Sequence, residues 1–178
     1  MSFDAQPVLT GAAYAVRPLV RGDFDALRVA ASDPEIWALH PQKDRWKPEV
    51  FAPYFDSLMA SGATVASVDL ARNRVIGCSR YYTAPDMPGT ISIGFTFLER
   101  AYWGGAANLA IKTLMFEHAF VDFDAVWLHI DPTNLRSQRA TAKLGAVHVY
   151  DAQMDLGAGF ADFMCYRVGR DEWRMANG

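Results

Sequence analysis

One segment of the chain runs from a strand-like stretch through a glycine turn into a long helical pattern. Residues 90–98 are rich in β-branched and aromatic side chains, which favour a strand. Gly104 and Gly105 then precede apolar side chains that recur with helical spacing over residues 105–121. These side chains fall on two sides of the helix, and such a helix lies between layers, typically against a sheet. The chain is therefore expected to combine a sheet with helices that cover it.

The rest of the chain alternates between short strand-like and helix-like segments. Strands are predicted at residues 14–19, 64–70, 75–83, 90–98, 125–130, 147–150 and 160–168. Helices are predicted after Gly22, at residues 35–39, after Pro48, at residues 105–121 and at residues 135–144. This order predicts one α/β or α+β domain over residues 1–178, with a mixed sheet of about seven strands and helices on both faces. Residues 1–12 are small and polar and are expected to form a flexible arm.

Composition limits the class of protein and of partner. The chain has 178 residues, a net charge of −3 and no run of Lys or Arg, which argues against a nucleic-acid or anionic-membrane partner. Cys78 and Cys165 are too few for a disulfide scaffold or a cysteine zinc site and suit a reducing cytoplasm. No two histidines have metal-ligand spacing, so no metal is inferred. No signal-peptide pattern is seen, and no apolar run approaches the roughly 20 residues of a membrane span.

The glycine turn has the features of a phosphate-binding loop. Free N–H groups at a helix start, together with the helix dipole, attract anions, and glycines let a phosphate approach the backbone. The turn at Gly104 and Gly105 is therefore a candidate pyrophosphate cradle. The segment lacks the Lys-Ser/Thr of a nucleotide-hydrolysing loop and does not fit G-x-G-x-x-G. An ordinary strand-to-helix turn is the alternative.

A second turn carries polar residues that suit either a cap or a ligand. Asn134 stands where a helix is predicted to begin, and capping is the simpler explanation for it. Ser137 follows in the first helical turn, where its hydroxyl can bond back to the helix or face a ligand. Gly145 ends the same helix.

Together these segments resemble the GNAT superfamily of acetyl-CoA-dependent N-acetyltransferases, most closely its RimJ/RimL-like branch. The resemblance extends from Val16 to the last strands and includes five elements in the family's order. They are Ile93-Gly94, Trp103-Gly104-Gly105-Ala106, the helix end Glu117-His-Ala-Phe120, Asn134-Leu-Arg-Ser137 and Lys143-Leu-Gly145-Ala146. The resemblance implies a mixed, mostly antiparallel sheet and a direct transfer of an acetyl group from acetyl-CoA, the cosubstrate, to an amine.

The resemblance also implies roles for individual residues. Backbone amides of Trp103, Gly104, Gly105, Ala106 and Ala107 would bind the pyrophosphate of coenzyme A. Phe97 and Leu98 would bind the pantetheine arm through their backbones, Asn134 would bind it from the facing side, and Ser137 would give a proton to the leaving thiolate. The chemistry agrees, because a thiolate leaves more easily beside a proton donor and a carbonyl held by an N–H group is polarised as the oxyanion forms.

Two positions depart from the family pattern. Ala101 stands where relatives often carry Gln or Arg, and Arg100 lies one residue early. Ser92 stands where many relatives carry a Glu that helps to deprotonate the amine, and a serine without a partner is not a base. We therefore expect an amine that arrives neutral, which an α-amine with a pKa near 8 does more easily than a lysine near 10.4. His40, in a loop that walls the acceptor cleft of the family, is the alternative base.

The acceptor is the least constrained part of the prediction. Arg80 and Tyr82 share one face of a predicted strand, and Arg80 is a candidate for binding an acceptor carboxylate or an ordinary surface charge. Trp37 lies among aromatic residues that form a core or line an apolar acceptor pocket. A protein N-terminus and small-molecule amines such as amino acids, polyamines and antibiotics all stay open, as does homodimerisation. Transfer of a larger acyl group, or coenzyme A binding without catalysis, is the competing function.

Overall fold

The computed structural model describes residues 3–177. Its strands are β1 (Leu9–Thr10), β2 (Tyr14–Pro18), β3 (Thr64–Asp69), β4 (Arg74–Tyr82), β5 (Ile91–Leu98), β6 (Ala125–Ile130), β7 (Val147–Asp155) and β8 (Phe160–Gly169). Its α-helices are α1 (Phe24–Ala30), α2 (Pro48–Ala60), α3 (Ala107–Ala119), α4 (Leu135–Lys143) and α5 (Arg170–Asn177), with short 3-10 turns at Arg21–Asp23, Pro34–Ile36 and Arg100–Tyr102.

The strands form one sheet in the order β1-β2-β3-β4-β5-β6-β8-β7. β5 and β6 run parallel, whereas the pairs β1–β2, β2–β3, β3–β4, β6–β8 and β7–β8 are antiparallel. Five helices flank this mostly antiparallel sheet, which confirms the predicted mixed α/β fold. The sheet has eight strands in residues 3–177, close to the predicted number of about seven.

The additional strand lies in the segment that was expected to be a flexible arm. Leu9 pairs with Val16 and Thr10 with Ala15, so these residues form β1 instead. The N–H of Gly11 donates to the Tyr14 carbonyl at 2.9 Å and closes the turn that follows. A strand of two residues is too short to show alternation, which is why the sequence pattern does not predict it. Residues 1 and 2 of the expected arm lie outside the described residues.

Helix boundaries follow the local chemistry of their ends. Pro48 occupies the first turn of α2, where a backbone N–H has no acceptor within the helix, so the N–H that proline lacks costs no hydrogen bond. Gly62 follows the helix with a φ of +60°. Asn134 caps α4, and Gly145 follows its C-terminal end with a φ of +74°. Among residues 3–177, no helix is both long and apolar enough to cross a membrane.

Contacts between residues divide the chain into two compact units. The first comprises the chain up to Arg80 together with Phe95–Met115, and the second comprises Tyr81–Gly94 together with the chain from Phe116 onward. One domain over residues 1–178 stays a prediction. The core of the first unit contains Leu27, Trp37, Phe51, Phe55, Leu58 and Phe97. A core cluster of the second unit contains Ala84, Trp127, Met154 and Cys165.

Candidate active site

The predicted phosphate-binding loop connects β5 to α3 in the first unit. The indole Nε1 of Trp103 donates to the Leu98 carbonyl at 3.0 Å, which ties the loop to the end of the strand. Gly104 has a φ of +71°, a left-handed conformation that favours glycine. Gly104, Gly105 and Ala106 are exposed, and a side chain at either glycine would meet no atom within 4 Å. The loop is therefore ordered yet open on its outer side.

The start of α3 is suited to an anion. The N–H of Ala110 donates to the Ala106 carbonyl at 2.9 Å, and the preceding N–H groups of Ala107, Asn108 and Leu109 have no helical acceptor. The first turn carries no acidic side chain. Free N–H groups at a helix start point back along the helix axis, so these groups and the positive end of the helix dipole are directed toward the exposed glycine turn, while the side chain of Ala107 is buried.

The backbone N–H groups of Phe97 and Leu98, the last two residues of β5, point in opposite directions. The Phe97 N–H faces the Cys78 thiol on β4. The Phe97 carbonyl oxygen lies so close to Gly77 of β4 that a Cβ added there would be 2.1 Å from it. Because backbone groups alternate along a strand, the Leu98 N–H points away from β4. Between the two residues predicted to bind the pantetheine arm, these contacts favour Leu98. The side chains of both are buried.

Phe95 introduces strain into the middle of β5. Its φ is +52°, which is uncommon for a bulky residue and occurs preferentially where the surroundings hold a functional conformation. The Phe95 carbonyl accepts from the Cys78 thiol at 3.7 Å, and the Arg80 guanidinium lies 4.5 Å from the centre of the Phe95 ring. The register pairs between β5 and β6 precede this residue, at Ile91↔Val126 and Ser92↔Trp127. Sequence reasoning missed Phe95, since only Gly94 before it hints at an irregular strand.

Ser92 offers no catalytic acid or base. Its side chain is fully buried, and its hydroxyl has no hydrogen-bond partner among the described residues. A serine with neither an acidic nor a basic neighbour cannot take a proton from an amine.

His40 is engaged by hydrogen-bond donors on both ring nitrogens. The main-chain N–H of Gln42 donates to Nδ1 at 2.9 Å, and an Arg45 guanidinium nitrogen lies 3.1 Å from Nε2. A neutral imidazole accepts at one nitrogen only, so one of these contacts is not a hydrogen bond, and the lone pair is occupied in either case. His40 as a base stays a prediction, although these contacts disfavour it.

Trp37 lies in the core of the first unit. Its side chain is 2% exposed, its indole donates to the Ala31 carbonyl at 2.8 Å, and its ring lies 5.1 Å from that of Phe97. Such burial favours a structural role over contact with an acceptor.

Two arginines of the same unit lie near the buried Tyr54. Arg45 lies 3.9 Å above the ring centre of Tyr54, burial lowers its pKa, and both Arg45 and the half-buried Arg80 act electrostatically on the Tyr54 hydroxyl. Arg80 remains a candidate for an anionic group of the acceptor.

Tyr82 belongs to the second unit and is bonded within it. Its hydroxyl lies 2.7 Å from His129 Nδ1, and its ring packs so closely that a Cβ on Gly94 would lie 2.9 Å from it. Burial lowers the pKa of His129, and its Nε2 is buried with no partner in the part of the chain that the structure describes. The structure thus joins Tyr82 to His129, whereas sequence reasoning grouped it with Arg80.

Asn134 and Ser137 form the cap of α4 in the second unit. Asn134 Oδ1 accepts from the Ser137 N–H at 3.1 Å, as expected for a helix-capping asparagine. Its amide nitrogen Nδ2 has no hydrogen-bond partner within residues 3–177. Both residues are half-buried, so the capping role leaves a donor available to a ligand.

Sequence reasoning missed a buried lysine in α3. Lys112 is 3% exposed, and its Nζ donates to Thr96 Oγ1 at 2.7 Å and to Ser79 Oγ at 3.4 Å. A signal was present, because a helix that is apolar on two sides leaves a charged residue at its middle with little exposed surface. No group of His, Cys, Asp or Glu within residues 3–177 is arranged to hold a metal ion.

Comparison with known proteins identifies the family. Solved structures share the fold: a GCN5-related N-acetyltransferase from Brucella melitensis is 18% identical with a TM-score of 0.77, over 95% of this chain and 81% of that one. A GNAT-family acetyltransferase from Bacillus anthracis is 15% identical with a TM-score of 0.72, over 93% and 100%. Mycobacterium smegmatis RimJ, solved with CoA-disulfide, is 14% identical with a TM-score of 0.67, over 93% and 87%. No curated protein matches the chain. The acetyltransferase (GNAT) domain model matches residues 15–147, most of the chain, and the protein therefore belongs to the GNAT acetyltransferase family.

Proposed function

We propose that the protein is an acetyl-CoA-dependent N-acetyltransferase of the RimJ/RimL-like branch that acts in the cytoplasm on a primary amine. The observation that carries the proposal is the start of α3, where unsatisfied N–H groups, two glycines and the absence of an acidic side chain coincide. A diphosphate bears the charge and the acceptor oxygens that this surface lacks. The relative solved with CoA-disulfide supports the same ligand class for this chain.

Residues beyond the loop match the remaining parts of the cosubstrate. The Leu98 N–H points away from β4 and is a donor for a carbonyl of the pantetheine arm or the thioester. Asn134 Nδ2 is a second donor, since the cap uses only the oxygen of that side chain. The Ser137 hydroxyl is the candidate proton donor to the leaving thiolate. Acyl transfer then depends mainly on holding the amine against the thioester.

The acceptor is proposed to carry an anionic group near its amine. Arg45 and Arg80 both lie near Tyr54 in the first unit, and Arg80 is half-buried above the Phe95 ring. A partly desolvated guanidinium is well suited to a carboxylate. An amino acid, or a protein N-terminus with an acidic neighbour, fits this chemistry better than a polyamine.

A second candidate function is coenzyme A binding without catalysis. The observation in its favour is Ser92, which is buried with an unpaired hydroxyl at the position where the family resemblance places a Glu. Such a protein would bind the cosubstrate at the same loop and release no thiol.

Thiol release from acetyl-CoA tests both functions. The full chain is mixed with acetyl-CoA and a panel of amines that contains α-amino acids, N-terminal peptides and polyamines, and acetyl-CoA binding is measured separately by calorimetry. Amine-dependent release supports the transferase, and release that is faster with succinyl-CoA than with acetyl-CoA would reassign the acyl group. Binding without release by any amine supports the binding protein, and absence of binding would contradict both.

A further inference from the structure

One hydrogen bond joins the buried Lys112 to the exposed Thr96 of the first unit, and the buried Ser79 bonds to both. Lys112 Nζ bonds to the Thr96 hydroxyl at 2.7 Å, and Thr96 Oγ1 lies 2.8 Å from Ser79 Oγ. Thr96 is exposed, whereas Ser79 and Lys112 are buried. The Thr96 hydroxyl is therefore the group through which Lys112 can exchange a proton with a molecule outside the protein.

The surroundings of Lys112 favour its neutral form. Burial lowers its pKa to about 7. On β4 it faces the Ser79 hydroxyl and the Cys78 thiol, and burial raises the pKa of that thiol to about 12, so it remains uncharged. On β5 it faces Thr96, and Arg45 is a further cation that acts on Cys78. Lys112 has no carboxylate partner in the described residues, so no ion pair offsets the cost of burying its charge.

We propose that Thr96 and Lys112 form the proton relay for the acceptor amine, with Thr96 as the group that contacts the amine and Lys112 as the positioning residue that acts through it. The inference rests on the proposed function. Thr96 lies directly before Phe97 and Leu98, the strand residues assigned to the acyl donor, and directly after the strained Phe95. The relay supplies the proton acceptor that Ser92 does not provide.

The proton transfer balances without a further reagent. The acceptor ammonium gives a proton to Thr96 Oγ1 while the Thr96 hydroxyl passes its own proton to neutral Lys112. The free amine then forms a bond to the thioester carbonyl carbon, and the carbon–sulfur bond breaks with its electron pair on sulfur. The second proton of the amine nitrogen goes to the thiolate, and Lys112 later returns its proton to solvent through Thr96.

A set of variants separates this relay from a purely structural lysine. Rates are measured between pH 6 and 10 for wild type, Lys112→Met, Thr96→Val, Thr96→Ser and the exposed-lysine control Lys43→Met, with two acceptors that differ in amine pKa. Folding of each variant is checked by circular dichroism. Thr96→Val replaces an exposed side chain with a good strand former, so it keeps the test decisive should Lys112→Met not fold.

The relay predicts one inflection in kcat/KM that both acceptors share in wild type. Lys112→Met and Thr96→Val should lose it, with kcat at pH 8 lower by about 10- to 100-fold, within the range for general base catalysis, and with the KM for acetyl-CoA nearly unchanged. Thr96→Ser, which keeps a hydroxyl, should retain the shared inflection, and Lys43→Met should keep the wild-type profile. Turnover in folded Lys112→Met or Thr96→Val with the wild-type profile would overturn the relay alone. A wild-type protein that releases no thiol with any amine would overturn the proposed function and the relay with it.

Discussion

The side-chain oxygen of Asn134 accepts a hydrogen bond from the Ser137 N–H at 3.1 Å, and this contact leaves the amide nitrogen of Asn134 for a ligand. The two roles can be separated by substitution. Asn134→Ser should keep the cap, because serine is also a good N-cap, yet lose the Nδ2 donor, whose position the shorter serine hydroxyl does not reach. Asn134→Ala should lose both and about 1 kcal/mol of stability. We expect both variants to bind acetyl-CoA more weakly in calorimetry. Full affinity in Asn134→Ser would restrict Asn134 to capping.

Ser137 is expected to affect turnover more than binding. Ser137→Ala removes the proposed proton donor and should lower kcat by about 10- to 100-fold, with little change in the KM for acetyl-CoA. Ser137→Thr, which keeps a hydroxyl, is the matched control in the same steady-state assay. If alanine at this position leaves kcat intact, the thiolate leaves unaided or takes its proton from water.

Gly105 offers a test of the phosphate-binding loop by charge alone. A side chain fits there without meeting another atom, so Gly105→Glu and Gly105→Gln should both fold. The glutamate places a negative charge beside the proposed pyrophosphate, and we expect a loss of acetyl-CoA affinity of about tenfold or more relative to the glutamine variant. Calorimetry at two salt concentrations measures the difference, which should shrink as salt rises. Equal affinities would remove the pyrophosphate from this loop.

The buried lysine should make stability depend on pH with a defined sign. The pKa of Lys112 is about 7 in the folded chain and 10.5 as its ordinary value, so between these values the unfolded chain binds more protons. The free energy of unfolding should therefore rise with pH above 7, by at most about 1.4 kcal/mol per pH unit, and the full cost of burying the charge is present below pH 7.

Urea unfolding between pH 7 and 8.5 measures this rise. The window stops below pH 9, since the raised pKa of the Cys78 thiol makes stability fall with pH at higher values. Lys112→Met should flatten the profile and be at least as stable as wild type at pH 7, whereas Lys43→Met should keep the slope. A wild-type profile without slope would mean that Lys112 is charged at neutral pH.

Arg80 should discriminate between acceptors. Arg80→Met keeps an apolar side chain against the Phe95 ring but removes the charge. We expect the KM of an acceptor with a carboxylate to rise by about tenfold, the cost of one charged hydrogen bond, while that of an uncharged amine of similar size changes little. Equal effects on both acceptors in the steady-state assay would limit the role of Arg80 to its packing against Phe95.

Sequence patterns predicted the regular parts of the fold well. β6 has the predicted bounds because its apolar run is flanked by turn residues on both sides, and α3 begins after two glycines as expected. α5 was not predicted, since Trp173 is its one buried residue and a single apolar residue cannot show the repeat that identifies a helix in a sequence. β7 extends to Asp155, five residues past its predicted end, because polar residues on an exposed strand do not alternate in hydropathy.

The candidate site was predictable only where motifs carry it. The loop from Trp103 to Ala107 and the pair Asn134 and Ser137 were predicted from the family resemblance, whose motifs lie at helix starts that the sequence pattern also indicates. The left-handed Phe95 was not, since side-chain identity argues against that conformation and only packing enforces it. Lys112 was missed for a related reason, because its burial depends on how β4 and β5 pack against α3.

The bond between the Trp103 indole and the Leu98 carbonyl has a kinetic consequence. A loop that is already held at its first residue does not have to fold around the incoming cosubstrate, so little conformational entropy is lost when the complex forms. We expect encounter with this exposed loop to be limited by diffusion and orientation, and differences in affinity among cosubstrates to arise mainly from how long each one stays bound.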